Sequence, residues 1–366
     1  MKKLIAVTRS SMPSFEEYCE EIKSLWDSRW LSNRGAIHKE FERLLKERMG
    51  IEYVSLFANG HVALEVAINA FHFQKGGEVI TTPYTHCSTT HSIVRNGLVP
   101  VFCDINDKDF TIDAGQIEKY ISEKTVAIVA THVYGLLCDV DRIEAIAKKY
   151  GLKVIYDAAH AFGVKREGVD AISYGDAAMI SCHATKVFHT IEGGIVSFKD
   201  KAVYDNIESL VNFGFKGPEE VQFISTNARM NEFEAAMGIC NLRHIDAEID
   251  RRKVAATRYI KHLSGIPGIK LISPQPGVSS NYAYFPVFFD GYKYNRNEIQ
   301  EKLKQENILA RKYFYPIVPD LMCYKDRYSD GYYPVSRYAA EKVLALPMFA
   351  DLMNEDVDRI CKIILD

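Results

Sequence analysis

Val154-Ile155-Tyr156-Asp157-Ala158-Ala159-His160 reads as an apolar strand that ends in an acid flanked by small residues. The next such run, Ala177-Ala178-Met179-Ile180-Ser181, leads through Cys182-His183-Ala184-Thr185 to Lys186 and soon after to Glu192-Gly193-Gly194. Strands apolar on both faces belong to a mostly parallel sheet with helices on each side. In such an open sheet, ligands collect outside the carboxyl ends of the strands. Asp157 and Lys186 therefore fall at the edge where a site forms. A buried acid there needs a cationic or proton-bearing partner; the plainer alternative is a helix N-cap after a βα turn. A lysine just past a strand end, near that acid, suits Schiff-base chemistry, because desolvation and nearby cations bring its pKa toward neutrality. The plainer alternative there is a solvated surface lysine.

On either side of this pair the same rhythm continues. Short apolar runs at residues 53–57, 78–82, 99–103, 125–131, 153–156, 177–181 and 195–198 predict seven strands. Helix signals lie between them at residues 61–71, 89–96, 113–121 and 139–150, the last closed by Lys148-Lys149 before Gly151. Amphipathic stretches at residues 15–26 and 38–49 precede the first strand, and a long helical pattern at residues 231–262 follows the last, interrupted only by Gly238. Beyond Pro267 the texture changes, with a strand expected at residues 282–289 and helices at 295–306 and 336–345. The expected fold class is α/β: a mostly parallel seven-stranded sheet between helices, with a smaller C-terminal α+β domain. The division is placed at residues 1–240 and 241–366.

Composition narrows the function classes. The chain has 366 residues, 47% hydrophobic and 25% charged, an ordinary globular make-up. At about 150 residues per domain, two domains are the expectation. Forty-five Lys+Arg against 48 Asp+Glu give a net charge of −3 without a long run of either sign, which argues against nucleic-acid binding through a basic face. The eight cysteines stand singly, without the C-x-x-C pairs of a zinc site, and read as reduced thiols of a cytoplasmic protein with no metal site. The apolar part of the opening Met1 to Val7 is too short for a signal peptide, and no stretch reaches the roughly 18 apolar residues of a membrane span. Export and membrane insertion are disfavoured.

A third element is Phe57-Ala58-Asn59-Gly60-His61, where a strand passes through glycine into a helix. Free backbone N–H groups and the positive dipole end favour a phosphate there. The segment lacks the lysine of a P-loop and the three glycines of a dinucleotide fingerprint, which weighs against a nicotinamide dehydrogenase. A phosphate cradle, a carboxylate and an amine at one sheet edge together match what pyridoxal 5'-phosphate (PLP) requires: its phosphate neutralised, its pyridine nitrogen kept protonated by an acid, its aldehyde held by a lysine.

These motifs, in this order along nearly the whole chain, resemble the DegT/DnrJ/EryC1/StrS aminotransferases of nucleotide-sugar biosynthesis, which have the PLP-dependent transferase fold of type I. The resemblance rests on Trp30-Leu31-Ser32-Asn33-Arg34-Gly35 with Phe41-Glu42, Ala58-Asn59-Gly60-His61, Tyr134-Gly135, Asp157-Ala158-Ala159-His160, Ser181 through Lys186 with Glu192-Gly193-Gly194, and Asn227-Ala228-Arg229-Met230. It implies that Lys186 carries the cofactor and shuttles the proton, and that Asp157 partners the pyridine nitrogen. It implies backbone donors from Gly60 and His61 to the phosphate, joined by the Ser181 hydroxyl. Asn227 would reach the phosphate of the other subunit, in a homodimer with shared active sites.

The chain departs from the family pattern in places. His86 stands where relatives carry an aromatic ring stacked on the cofactor, and His160 where many carry Gln near its 3-oxygen. Asn59-Gly60-His61 replaces the common Ser-Gly-Thr, so one phosphate-binding hydroxyl is missing. His183 either lines the site or orients the Lys186 loop. Tyr313 and Tyr315, in Arg311-Lys312-Tyr313-Phe314-Tyr315-Pro316, either contact the sugar or diphosphate together with Arg229 and the basic pair, or pack as plain aromatics. His38, His91, His244 and His262 read as surface groups.

The activity this resemblance implies is transfer of an amino group, from L-glutamate, to a dTDP-linked 4-keto-6-deoxyhexose. The opening segment and the Tyr-Phe-Tyr-Pro stretch are most similar to enzymes making dTDP-4-amino-4,6-dideoxy-D-glucose for O-antigen and lipopolysaccharide biosynthesis. Transfer to C3 of a dTDP-3-keto-6-deoxyhexose is the alternative within the class. A PLP-dependent sugar dehydratase of the same fold would carry histidine in place of Lys186.

Overall fold

The computed structural model describes residues 4–366. Its larger part is a seven-stranded sheet of β1 (Tyr53–Phe57), β2 (Glu78–Thr81), β3 (Val99–Phe102), β4 (Thr125–Thr131), β5 (Lys153–Asp157), β6 (Ala177–Ser181) and β7 (Gly194–Phe198). They lie in the order β1-β7-β6-β5-β4-β2-β3. The pairs β2/β3, β2/β4, β4/β5 and β5/β6 are parallel, whereas β7 runs against both β6 and β1. The cause is local: residues 182–193 hold no helix, and a parallel return needs a crossover of about a dozen or more residues, usually helical.

Strand periodicity sorts the side chains onto two covered faces. Ile128, Ala130, Val154, Tyr156, Ala178 and Ile180 enter one core with Phe41, Ile143 and Ile239. Ala127, Val129, Ile155, Ala177 and Met179 enter the other with Leu64 and Ile93, from the helices Gly60–Asn69 and Cys87–Arg95. By the same alternation Thr131, Asp157 and Ser181, the last residues of β4, β5 and β6, share this second face. They meet the starts of those two helices.

The long helix Glu232–Leu263 opens with a capping box, in which Asn231 and Glu234 satisfy each other's backbone N–H. Residues 240 and 241 both lie inside it. Its first half packs Ala235, Ala236 and Ile239 on the large core, and its second half packs Ala255, Ala256, Tyr259 and Leu263 on a C-terminal core. Gly238 is required by close packing: a Cβ there would lie 2.5 Å from Phe41 Cζ. The C-terminal core is built on an antiparallel sheet of β8 (Ile269–Leu271), β9 (Phe285–Phe289) and β10 (Val343–Leu346), with the helices Arg296–Gln305 and Asn354–Leu365. Ile5 joins this core through backbone bonds of 2.9 Å with Asn307 and Leu309.

Two expected helices are corrected. Residues 113–121 make only one 3-10 turn, Ile117–Tyr120, because the Asp113 side chain takes the Gly115 N–H at 2.8 Å and supports a turn instead. At residues 336–345 the helix ends at Lys342, and Val343-Leu344-Ala345-Leu346, all buried, pair with β9 as a strand. The strand expected from residue 282 begins at Phe285, after Tyr282 adopts a left-handed φ of 51°. Among the described residues no helix is long and apolar enough to cross a membrane, and no His/Cys/Asp/Glu cluster is arranged to hold a metal ion.

Candidate active site

Asp157 closes β5 and is 4% exposed. Its Oδ2 accepts from the Thr89 hydroxyl at 2.6 Å and its Oδ1 from the Ala159 N–H at 3.1 Å. No helix follows: residues 158–163 form turns, so the N-cap alternative does not hold. Among the described residues no cationic side chain lies within ion-pair distance of it. A carboxylate so desolvated calls for a proton-bearing partner on its open lone pairs.

The helix start expected to cradle a phosphate follows β1, three positions from β5 in the sheet. Asn59 caps the helix Gly60–Asn69 by accepting the Val62 N–H at 2.9 Å, which leaves the N–H groups of Gly60 and His61 among those a helix start cannot satisfy internally. Ser181 faces this start so closely that a Cβ on Gly60 would lie 2.8 Å from the Ser181 Cβ and 2.9 Å from its hydroxyl. Glycine is thus what lets backbone donors and a hydroxyl converge. The His61 side chain turns away to Ser88, with Nδ1 2.8 Å from its hydroxyl, so only the His61 backbone faces the cradle.

Lys186 stands on the loop after β6, and its Nζ donates to the Tyr284 hydroxyl at 3.2 Å. The Tyr284 ring packs on His160, with centroids 4.7 Å apart. His160 is buried, and its pKa is held well below the usual imidazole value by that burial, then by the charges of Lys186 and His86. It is neutral, and its Nδ1 accepts the Tyr134 N–H at 3.1 Å, which assigns its proton to Nε2 as a donor. His86 caps the helix Cys87–Arg95 by accepting the Ser88 N–H at Nδ1, and its ring meets Phe314 edge-on at 6.4 Å. Its pKa is also lowered, by desolvation and then by Lys186, with Asp157 acting in the opposite sense. Lys186, Ser181, His160 and Tyr284 line one small pocket at the ends of β5 and β6.

The remaining residues divide. The His183 Nδ1 pairs with the Thr185 hydroxyl at 2.8 Å, and its Nε2 lies 3.5 Å from Glu192, so its side-chain contacts stay within the loop that carries Lys186. The Tyr313 ring meets Tyr284 edge-on at 5.6 Å, next to the amine, whereas Tyr315 lies under the Arg296 guanidinium at 4.7 Å, in a separate depression with Lys342. Asn227 is exposed and accepts from Arg229 Nε at 3.0 Å; Arg229 also donates to Asn33. The side-chain bonds of this pair stay within the outer rim. Two neighbours of the site escaped sequence reasoning. Thr89 is the hydroxyl on Asp157, and Tyr284 is the partner of Lys186; each had been counted only as a helix or strand residue. His38 is a further correction: it is buried, not a surface group.

An amine, a desolvated carboxylate, a neutral imidazole donor and a helix start opened by glycine are the donor set that PLP needs, and these residues fit it. Comparison with known proteins agrees. The sequence profile of the DegT/DnrJ/EryC1/StrS aminotransferase family matches residues 14–365. The dTDP-4-amino-4,6-dideoxy-D-glucose transaminase of Shigella dysenteriae is 40% identical, over 98% of this chain and 98% of its own length. The dTDP-3-amino-3,6-dideoxy-alpha-D-galactopyranose transaminase of Aneurinibacillus thermoaerophilus is 30% identical, over 94% of this chain and 93% of its own. A crystal structure of DesI in the presence of its TDP-sugar product superposes with a TM-score of 0.94 at 31% identity, covering 100% of this chain and 93% of that one. With its type I PLP-dependent transferase fold and this sheet-edge site, the chain belongs to the DegT/DnrJ/EryC1/StrS aminotransferase family.

Proposed function

We propose that the protein is a PLP-dependent aminotransferase that moves an amino group from L-glutamate to C4 of a dTDP-linked 4-keto-6-deoxyhexose, giving dTDP-4-amino-4,6-dideoxyglucose. The observation that carries the transaminase reading is one pocket lined by Lys186, Ser181 and His160, where Ser181 meets the Gly60 helix start and the buried Asp157 closes the neighbouring strand. The C4 assignment is supported by the higher identity to the 4-amino than to the 3-amino enzyme.

PLP, when bound, supplies an electron sink and an aldehyde carbon that carries the amine from donor to acceptor. The protein supplies the rest. Asp157 holds a proton on the ring nitrogen. Lys186 Nζ takes the proton from the donor's α-carbon and later returns one to the sugar carbon that gains nitrogen. Tyr284 orients that amine by accepting its hydrogen bond, and His160, whose Nδ1 is taken by the Tyr134 N–H, would offer its Nε2 proton to the ring oxygen. Gly60, His61 and Ser181 anchor the phosphate. Asn227, exposed, and the half-buried Arg229 that donates to it are suited to complete the site of a second copy, which makes a homodimer the working assembly.

Incubation with glutamate and each of the dTDP-4-keto and dTDP-3-keto sugars, with the product resolved by NMR, tests this reading. A 4-amino sugar is expected. A 3-amino sugar would move the assignment to C3, and a deoxygenated sugar with no nitrogen would replace transamination by dehydration.

A further inference from the structure

Behind Asp157 lies a chain of three buried hydroxyls that the transaminase reading does not use. The Thr131 hydroxyl, at the end of β4, donates to the Thr85 hydroxyl at 3.1 Å. Thr85 and Thr89 hydroxyls are 3.0 Å apart, and Thr89 donates to Asp157 Oδ2 at 2.6 Å. The direction is fixed by chemistry, since an ionised carboxylate only accepts. Thr89 must spend its proton on Asp157, so its oxygen takes the proton of Thr85, whose oxygen takes that of Thr131. The three residues come from a strand end, a loop and the first turn of a helix, and all are shut off from water.

We propose that Thr131, Thr85 and Thr89 form a one-way hydroxyl relay that fixes the charge and orientation of Asp157, so that the ring nitrogen of a bound PLP keeps its proton. The inference rests on the PLP reading of this site. Aligned hydroxyl dipoles polarise one another, and in a low-dielectric interior each strengthens the next. With no protein cation within ion-pair distance of Asp157 among the described residues, the relay does at short range what a buried arginine would do, but without a competing positive charge that would repel the pyridinium. Thr89 touches the carboxylate, whereas Thr85 and Thr131 are positioning residues that act through it.

The test uses Thr89→Val, Thr89→Ser and Thr131→Val proteins, reconstituted with PLP. Cofactor affinity by dialysis, the pH titration of the visible band of the lysine-bound cofactor, and melting of the cofactor-free protein are read for each. Thr89→Val is expected to weaken cofactor binding about tenfold, the scale of one hydrogen bond to a charged group. Its visible band should titrate at higher pH, because a ring nitrogen that loses its proton leaves the lysine-linked nitrogen more basic. Thr131→Val should move both readouts in the same direction by a smaller factor, and Thr89→Ser should restore them. If Thr89→Val fails to fold, Thr131→Val carries the test alone. Unchanged affinity and titration in Thr131→Val and Thr89→Val, with only melting lowered, would reduce the threonines to packing and overturn the proposal. Wild-type protein that takes up no PLP would instead overturn the cofactor reading itself.

Discussion

Lys186 Nζ and the Tyr284 hydroxyl, 3.2 Å apart, join the loop after β6 to the chain entering β9, so the amine is held by the part of the molecule that carries the second core. A lysine has four rotatable carbons and one such bond removes much of that freedom. In Tyr284→Phe the ring and its packing on His160 remain while the hydroxyl is lost. The donor half-reaction, followed by stopped-flow absorbance, is expected to slow about tenfold, equivalent to about 1.4 kcal/mol, with little change in KM. An unchanged rate would show that the lysine finds its pose without this partner.

Lys186→Ala removes both the attachment point and the proton carrier. Turnover is expected to fall on the order of a thousandfold or more. Borohydride treatment followed by mass spectrometry should add the cofactor to the wild-type peptide containing residue 186 and to no peptide of the variant. Full turnover in the variant contradicts the role given to this residue.

The sheet was legible because it is local: β5 and β6 are uninterrupted apolar runs, with Asp157 closing the first and Lys186 on the loop after the second. What was not legible is assembled across sequence. Thr85, Thr89, Thr131 and Asp157 meet only because three elements end at one sheet edge, and Tyr284 reaches Lys186 from 98 residues away. The stretches at residues 113–121 and 336–345 failed for another reason. Their helical spacing was real, but an Asx turn and a strand-pairing site for Val343–Leu346 outcompeted it. His38 was misjudged because its neighbours in sequence, Lys39 and Glu40, are exposed, while the helix Ala36–Met49 turns His38 inward beside Phe41 and Glu42.

Gly60→Ala places a methyl 2.8 Å from the Ser181 Cβ. No left-handed backbone is involved, so the effect is steric alone. Overpacking of this kind costs about 1–3 kcal/mol, and the strain falls where helix start and strand end must converge on a phosphate. Cofactor affinity is expected to drop by about tenfold or more, measured by dialysis, while far-UV circular dichroism stays as in wild type. Tight binding in the variant would place the phosphate elsewhere.

Buried His38 carries a pH signature. Desolvation, then the Arg34 charge, lowers its pKa from 6.5 to about 4 in the folded protein. Between those values the unfolded chain binds a proton that the folded one excludes, so stability falls as pH drops from 6.5 toward 4 and is unaffected above 6.5. Asp170, raised to about 6, works in the opposite sense over part of that window, so the comparison must be with a variant rather than with another pH. Relative to His38→Phe, wild type is expected to lose about 3 kcal/mol between pH 6.5 and pH 4 in urea unfolding. A constant difference across that range would mean that His38 is protonated in the folded state.

Asn227 and Arg229 hold each other on the rim, at 3.0 Å, while the amine and acid of the same chain lie with Tyr284 and Thr89. If Asn227 serves the phosphate of the partner's site, two inactive chains can repair one another. In a mixed dimer of Lys186→Ala with Asn227→Asp, one site combines both substitutions and the other draws Lys186 from one chain and Asn227 from its partner, both intact. Random pairing makes half the dimers mixed, each with one whole site, so co-expressed variants are expected to recover about a quarter of wild-type activity. The same two proteins, purified and mixed without subunit exchange, should stay inactive. Were Asn227 to act on the cofactor of its own chain, every site in the mixed dimer would carry a lesion and nothing would be regained.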